Sequence, residues 1–247
     1  MLKVKNLISS EKPILDAVQL VRWKLESNSY NFKDLPKTAI LSINRSFLTL
    51  GQRVLSKKLK GLSGHNYLLN ANYIFCCEFG KGAPSITTLM EELRCFGVMN
   101  FIFLGYAGTI QTIDSKELCI VKSTFSTTGC SFLYSAEENI ASNFNSWLLK
   151  LKEHLNLEET VCWSTDAPLR ETPTLVNYFH NKGAKHIDME CAAVYAFATF
   201  HNLNALCLVA PADTIHNMQW TPPTNLPKIN RQMKSVVQKI LNFKHEN

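Results

Sequence analysis

The sequence lacks any apolar stretch of the roughly 20 residues needed to cross a bilayer as a helix, so no membrane partner is expected. It also lacks any run of five or six like charges, and its net charge of +6 over 247 residues is mild. The densest basic patch, Lys57, Lys58 and Lys60, reads as a solvated face, and no nucleic-acid partner is expected. Eight cysteines are present without a Cys-x-x-Cys pair or a Cys/His ligand spacing, so no metal is expected. Most lie in apolar runs such as IFCC, ELCIV and ALCLV, where a thiol acts as a small core hydrophobe. No signal-peptide pattern stands at the start, and with the free thiols this points to a reducing, cytoplasmic setting. Repeats, low-complexity tracts and Pro/Gly/Ser linkers are missing as well. At 46% hydrophobic and 19% charged, the chain reads as one globular domain over residues 1–247.

What is there is alternation. Short apolar runs (Thr38–Ile43, Tyr73–Cys77, Phe101–Gly105, Leu118–Ser123, Thr160–Thr165 and Ala205–Ala210) read as strands. Between several of them lie helical patterns: SITTLMEELRCFG, SNFNSWLLKLKEHL, TPTLVNYFHNKG and MECAAVYAFATFHN. Strands alternating with amphipathic helices predict an α/β fold, with helices packed on a mostly parallel or mixed sheet. Ahead of them, Ile14, Leu15, Val18, Val21 and Leu25 fall at helical spacing, so residues 1–35 read as a helical extension.

In such sheets ligands collect beyond the carboxyl ends of the strands, and the unusual residues lie there. Gly80 and Gly82 precede a helix start marked by Pro84 and Ser85, where bare amides can hold an anion or simply make a tight turn. Gly105 and Gly108 follow the strand FIFLG with the same two readings open. The loop STDAPLRET crowds Asp166, Arg170 and Glu171, either as a surface ion pair or as the wall of a polar ligand site. Asp188 and Glu190 open the apolar segment IDMECAAVYAFA. Acids in a first helical turn suit the helix dipole, but a buried carboxylate costs several kcal/mol unless something pairs with it. Asp213 follows the last apolar strand, with His216 close behind.

The order G-x-G-x-P-S, E-E-L, G-x-A-G, S-T-D-A-P-x-R-E-T, D-M-E-x-A-A and A-D, from about Thr38 to about Trp220, resembles the nucleoside phosphorylase superfamily. More narrowly it resembles the branch of uridine phosphorylase, bacterial-type purine nucleoside phosphorylase and methylthioadenosine nucleosidase. Residues 1–35 match nothing in that pattern. The resemblance implies a three-layer α/β sandwich whose mixed sheet curls toward a barrel with flanking helices. It implies that Met189 packs under a ribose and that Glu190 accepts hydrogen bonds from the 2′- and 3′-hydroxyls, a double acceptance that suits a carboxylate. Asp213 takes the position that protonates a purine ring nitrogen, so a purine is favoured. Ala107 and Gly108 match backbone lining the base pocket, Phe132 or Tyr134 the aromatic stacked on the base, and Arg170 and Glu171 the contacts to the base edge. A homo-oligomer (dimer, trimer or hexamer) and no cofactor beyond inorganic phosphate as co-substrate are implied.

The sequence departs from the pattern on the phosphate side. The Gly-Asp-Pro-x-x-Arg loop is replaced by LSINRSF, leaving Arg45 as the stand-in for its arginine and Gly105 as the remaining backbone contact. The positions of a strand arginine and a loop threonine are Phe103 and Tyr106. The leading expectation is phosphorolysis of a nucleoside to free base and ribose 1-phosphate. Hydrolysis without phosphate, or nucleoside binding without turnover, are the alternatives.

Overall fold

Burial on both faces explains why the central strands read as continuous apolar runs: every residue of TAILS and of YIFCC is buried. The computed structural model describes residues 13–110 and 118–244. In chain order these form α1 (Ala17–Glu26), β1 (Thr38–Ser42), α2 (Leu50–Leu55), β2 (Lys57–Leu59), β3 (His65–Leu68), β4 (Tyr73–Cys77) and α3 (Ala83–Cys95). Next come β5 (Asn100–Ile110), β6 (Cys119–Ser126), α4 (Gly129–Phe132), β7 (Asn139–Ala141), α5 (Ser146–Leu155) and β8 (Glu158–Ser164). The order ends with α6 (Pro173–Asn181), β9 (His186–Asp188), α7 (Cys191–Phe200), β10 (Asn204–His216), β11 (Gln219–Thr221) and α8 (Leu226–Asn242).

Strand β5 is the hub. It pairs parallel with β1 and β10 and antiparallel with β9. From β10 the ladder continues through β6 and β8 to β9, so the strands β5, β9, β8, β6 and β10 close into a ring. A wing of β1, β4, β3 and β2 leaves the ring at β5, and β11 folds back on β10 as a hairpin. The result is the expected mixed sheet curling into a barrel with helices around it. Side chains alternate along β5: Phe101, Phe103 and Ala107 join the core that includes α3 and α7, while Ile102 and Leu104 join the core of α5 and α8.

Helix α7 is apolar on all sides, and Cys191 through Ala198 are all buried, as an internal helix must be. Its alanines keep it thin where it crosses α3. Helix α8 lies beyond the segments read from the sequence as alternating units. Its signal is nonetheless present: Asn225 caps it, Pro227 stands in the first turn, and Ile229, Met233, Val236, Val237 and Ile240 are buried at helical spacing. All eight cysteines are free thiols, six of them buried, as the apolar runs suggest. No helix among the described residues is long and apolar enough to cross a membrane.

The start of the chain attaches differently from its pattern. Helix α1 forms, but Ile14, Leu15, Val18 and Leu25 are exposed, and within the helix only Val21 is buried. Polar contacts hold it instead. Glu92 of α3, 1% exposed, accepts from Lys24 Nζ at 2.7 Å and from the Tyr30 hydroxyl at 2.6 Å on the same oxygen. Lys24→Met should therefore leave a buried carboxylate short of its cation and cost about 2 kcal/mol. Urea unfolding checks this, and a loss below about 0.5 kcal/mol would mean that Tyr30 alone satisfies Glu92. Residues 1–12 lie outside the described residues.

Candidate active site

Two adjacent acids do different jobs at the start of α7. Asp188 Oδ2 accepts the N–H groups of Glu190 at 2.9 Å and Cys191 at 2.6 Å. Its Oδ1 takes the Ser164 hydroxyl at 2.5 Å, and Ser164 Oγ in turn accepts the Ala192 N–H at 3.0 Å. These bonds satisfy donors that a helix start leaves open, deep inside the protein. Asp188 is thus a buried cap. Glu190, 3% exposed, turns instead toward the Gly80–Gly82 loop, and its Oε1 accepts the Gly82 N–H at 2.6 Å. The anion held by that glycine loop is internal. Burial, then the charge of Asp188, pushes Glu190 up to about 7, against the lowering pull of the Gly82 and Met189 amides and of Lys81. Met189 is half-buried, and its Cε would lie 3.7 Å from a Cβ placed on Gly82. Gly82 sits at φ +84°, where a side chain is strained.

Across the sheet, β10 carries a bulge between Pro211 and Asp213, a device that re-aims side chains. Gly108 of β5 pairs with Ile187 of β9 on one side and with Asp213 of β10 on the other. Two strand spacings set Ile187 and Asp213 about 10 Å apart, with bare Gly108 as the floor between. A Cβ on Gly108 would stand 3.4 Å from Asp213 Oδ1. Asp213 Oδ2 accepts the indole N–H of Trp220 at 2.7 Å. Glu171, half-buried, follows the short turn Pro168–Arg170 at the end of β8. Burial, and behind it the charge of Asp213, pushes Glu171 up to about 7. Met189 and Glu190 thus follow β9 on one flank of Gly108, with Asp213 of β10 on the other.

A family model described as the Phosphorylase superfamily matches residues 50–242, most of the chain and every residue of this arrangement. The chain belongs to the phosphorylase superfamily. Its similarity to individual members is modest. It is 26% identical over 165 residues to the DeoD-type purine nucleoside phosphorylase of Bacillus cereus (strain B4264), covering 64% of this chain and 70% of that protein. To the protein of the same name from Clostridium perfringens (strain SM101 / Type A) it is 24% identical over 168 residues, covering 65% and 72%. These matches support a nucleoside phosphorylase-type glycosyltransferase.

The other expected site residues have these surroundings. The Tyr134 ring packs on Phe197, Phe200 and His201, and its hydroxyl donates to Glu91 at 3.1 Å. Those partners lie roughly 10–16 Å along α7 from Glu190. Phe132 ends the short α4 and is half-buried. Ala107 is buried in the core. Arg170 is exposed. Arg45 is drawn toward Glu78, Nε to Oε2 at 3.6 Å, and lines a cavity of about 320 Å³ with Arg53, Lys58 and Tyr67. At Gly105 the Phe103 ring folds back to within 2.7 Å of where a Cβ would be. Tyr106, the other departure, points into the second core, accepting from Asn44 Nδ2 at 2.6 Å and donating to Asn230 Oδ1 at 2.5 Å. Gly105→Ala should therefore cost about 1–3 kcal/mol by overpacking. Most of that loss should vanish in the Phe103→Leu background, as a double-mutant cycle on thermal unfolding would measure.

Trp220 has no signal in the sequence, since an aromatic in a polar hairpin carries no motif. Ser164 and Asp188 are visible within the motifs, but their shared capping role is not.

Proposed function

We propose that the protein cleaves the N-glycosidic bond of a nucleoside, a purine ribonucleoside by preference, transferring the ribosyl group to phosphate. The observation that carries this reading is Glu190: a carboxyl only 3% exposed, held by the Gly82 amide and lying two residues past β9, the strand that pairs with Gly108, whose other neighbour is Asp213. A buried acid left with spare acceptor positions suits a ligand that brings hydroxyl donors. Sugar hydroxyls donating to Glu190 favour its charged form, and that charge then opposes the positive charge growing on the sugar as the C–N bond breaks. Met189 beside it offers an apolar contact for the ribose. Asp213 handles the proton on the base side, and Glu171 contacts the edge of the base. Assembly as a homo-oligomer and a role in nucleoside salvage belong to the same reading. Exposed Leu50, Val54 and Leu55 on α2 are suited to an interface between copies.

Hydrolysis is the second reading, and Phe103 favours it. The ring covers Gly105, and Tyr106 is bound into the core, where the sequence pattern would have placed phosphate contacts. An anion site without its charge-assisted donors is weak. The experiment is release of free base from a panel of nucleosides, with and without phosphate. Release only with phosphate, together with ribose 1-phosphate, supports phosphorolysis, and equal release in both buffers supports hydrolysis. No release from any nucleoside that binds would overturn both and leave a binding protein.

A further inference from the structure

At the carboxyl ends of β1 and β4 the chain gathers cations around one acid. Arg45 leaves β1 on the short turn Arg45–Phe47, which Asn44 caps by accepting the Ser46 N–H on its Oδ1 at 2.8 Å. The Asn44 amide donates to Tyr106, two residues before Gly108, so this turn is tied to the floor of the site. Arg53 comes from α2 and Lys58 from β2, and with Arg45 they line the cavity of about 320 Å³. Arg53 Nε is buried without a hydrogen-bond partner. Among the described residues, no carboxylate lies within ion-pair distance of Arg53 or Lys58. Unpaired guanidinium and ammonium donors gathered in this way suit an oxyanion.

The acid that does reach the cluster is Glu78. Its Oε2 lies 3.6 Å from Arg45 Nε and 3.4 Å from His65 Nε2. It stands just past β4 at φ +55°, in the left-handed region where a side chain is strained. The backbone is pinned there from two sides. Its N–H donates to Ser42 O at 3.2 Å, extending the β1–β4 ladder, and Gly64 packs behind it, where a Cβ would come within 2.9 Å of the Glu78 carbonyl carbon. Glycine would meet this φ without strain, and what glutamate adds is a carboxylate on Arg45 and His65. Both partners of the Arg45–Glu78 pair are partly exposed, at 41% and 37% of their side chains. Such a pair is weakly held and can exchange with an anion from solution.

We propose that Glu78 sets this protein's affinity for phosphate: its carboxylate occupies Arg45 as an internal anion, and inorganic phosphate binds among Arg45, Arg53 and Lys58 by displacing it. Its part in turnover rests on the reading that phosphate accepts the ribosyl group. A carboxylate on Arg45 opposes the entry of phosphate by charge and by occupancy, whereas it does not repel water. Glu78 therefore moves the balance from phosphorolysis toward hydrolysis.

The test titrates the full chain with inorganic phosphate by calorimetry at fixed ionic strength. Glu78→Gln should tighten phosphate binding about 10-fold, the value of one charge-assisted hydrogen bond, and Glu78→Gly at least as much. Glycine suits the backbone at this position, which keeps the second variant folded. Adding Arg45→Ala to Glu78→Gln should abolish the gain. Where the parent releases base, the KM for phosphate should fall by about the same factor in Glu78→Gln, and the KM for the nucleoside should change less than about twofold. A phosphate affinity within about twofold of the parent's in both variants, or a gain that survives Arg45→Ala, would overturn the role of Glu78. A parent that cleaves no nucleoside, with or without phosphate, would overturn the functional reading instead, and the phosphate titration would still decide whether Glu78 holds the anion site.

Discussion

Glu190→Gln should lower kcat/KM on a purine ribonucleoside several hundred-fold and at the same time make the protein more stable above neutral pH. The activity loss follows from replacing a charged double acceptor by a neutral amide that has one oxygen. Hydrogen bonds to a charged group contribute about 1.5–3 kcal/mol each, so weakening two of them costs about 3–4 kcal/mol, at 1.4 kcal/mol per factor of ten. Discrimination against the 2′-deoxyribonucleoside should shrink in the variant, because the group that senses the missing hydroxyl is the one altered. A variant that kept full discrimination would place the sugar elsewhere. The stability gain has the opposite sign for a definite reason. Glu190 in the folded chain titrates near 7, above the ordinary carboxyl value of 4.5, so folding favours its protonated form. The stability this confers is fully present below about pH 4.5 and is lost as pH rises through about 7, amounting to an order of 3 kcal/mol. The amide of the variant cannot ionise and escapes that loss. Unfolding of the two proteins at pH 4.5 and pH 8 measures it, with near equality at the lower pH and a gain of about 2–3 kcal/mol at the higher. A site that binds by an unstable buried acid trades stability for function in this way.

Asp188→Ala should be the most destabilising single change around the site, at about 3–5 kcal/mol. It removes the acceptor of two main-chain amides and of the Ser164 hydroxyl, all enclosed beneath α7. Each donor left without a partner costs about 1–3 kcal/mol. Asp188→Asn keeps one acceptor oxygen and should lose about half as much. Urea midpoints of the two variants decide the matter. A loss under about 1 kcal/mol for Asp188→Ala would mean that the helix start finds other acceptors and that the cap is dispensable.

Neighbours in sequence account for what was legible beforehand. The long strands were readable because burial on both faces writes itself as an unbroken apolar run, as in TAILS and YIFCC. Strands β2, β7, β9 and β11 have three residues each, too few to show a period, and exist because a partner strand lies alongside. The amphipathic look of residues 14–25 misled in one respect. Most of its apolar side chains stay exposed, while Lys24 finds Glu92 across 68 residues.

The sequence by itself determined the α/β alternation, the superfamily pattern, and the segment Asp188–Glu190 as the place where an acid is buried. These follow from local spacing, since a helix start, a glycine turn and an apolar strand are each written within a few residues. Only the tertiary structure decided which acid does what. Asp188 became a cap because the Ser164 hydroxyl and two amides converge on it, whereas Glu190 met Gly82 from 108 residues away and kept acceptor positions free. The same holds for Gly105, closed by the ring of Phe103, and for Asp213, bound by Trp220 through the turn of a hairpin. Such roles depend on the distances between side chains once the ring of strands has closed, and spacing along a chain does not specify them.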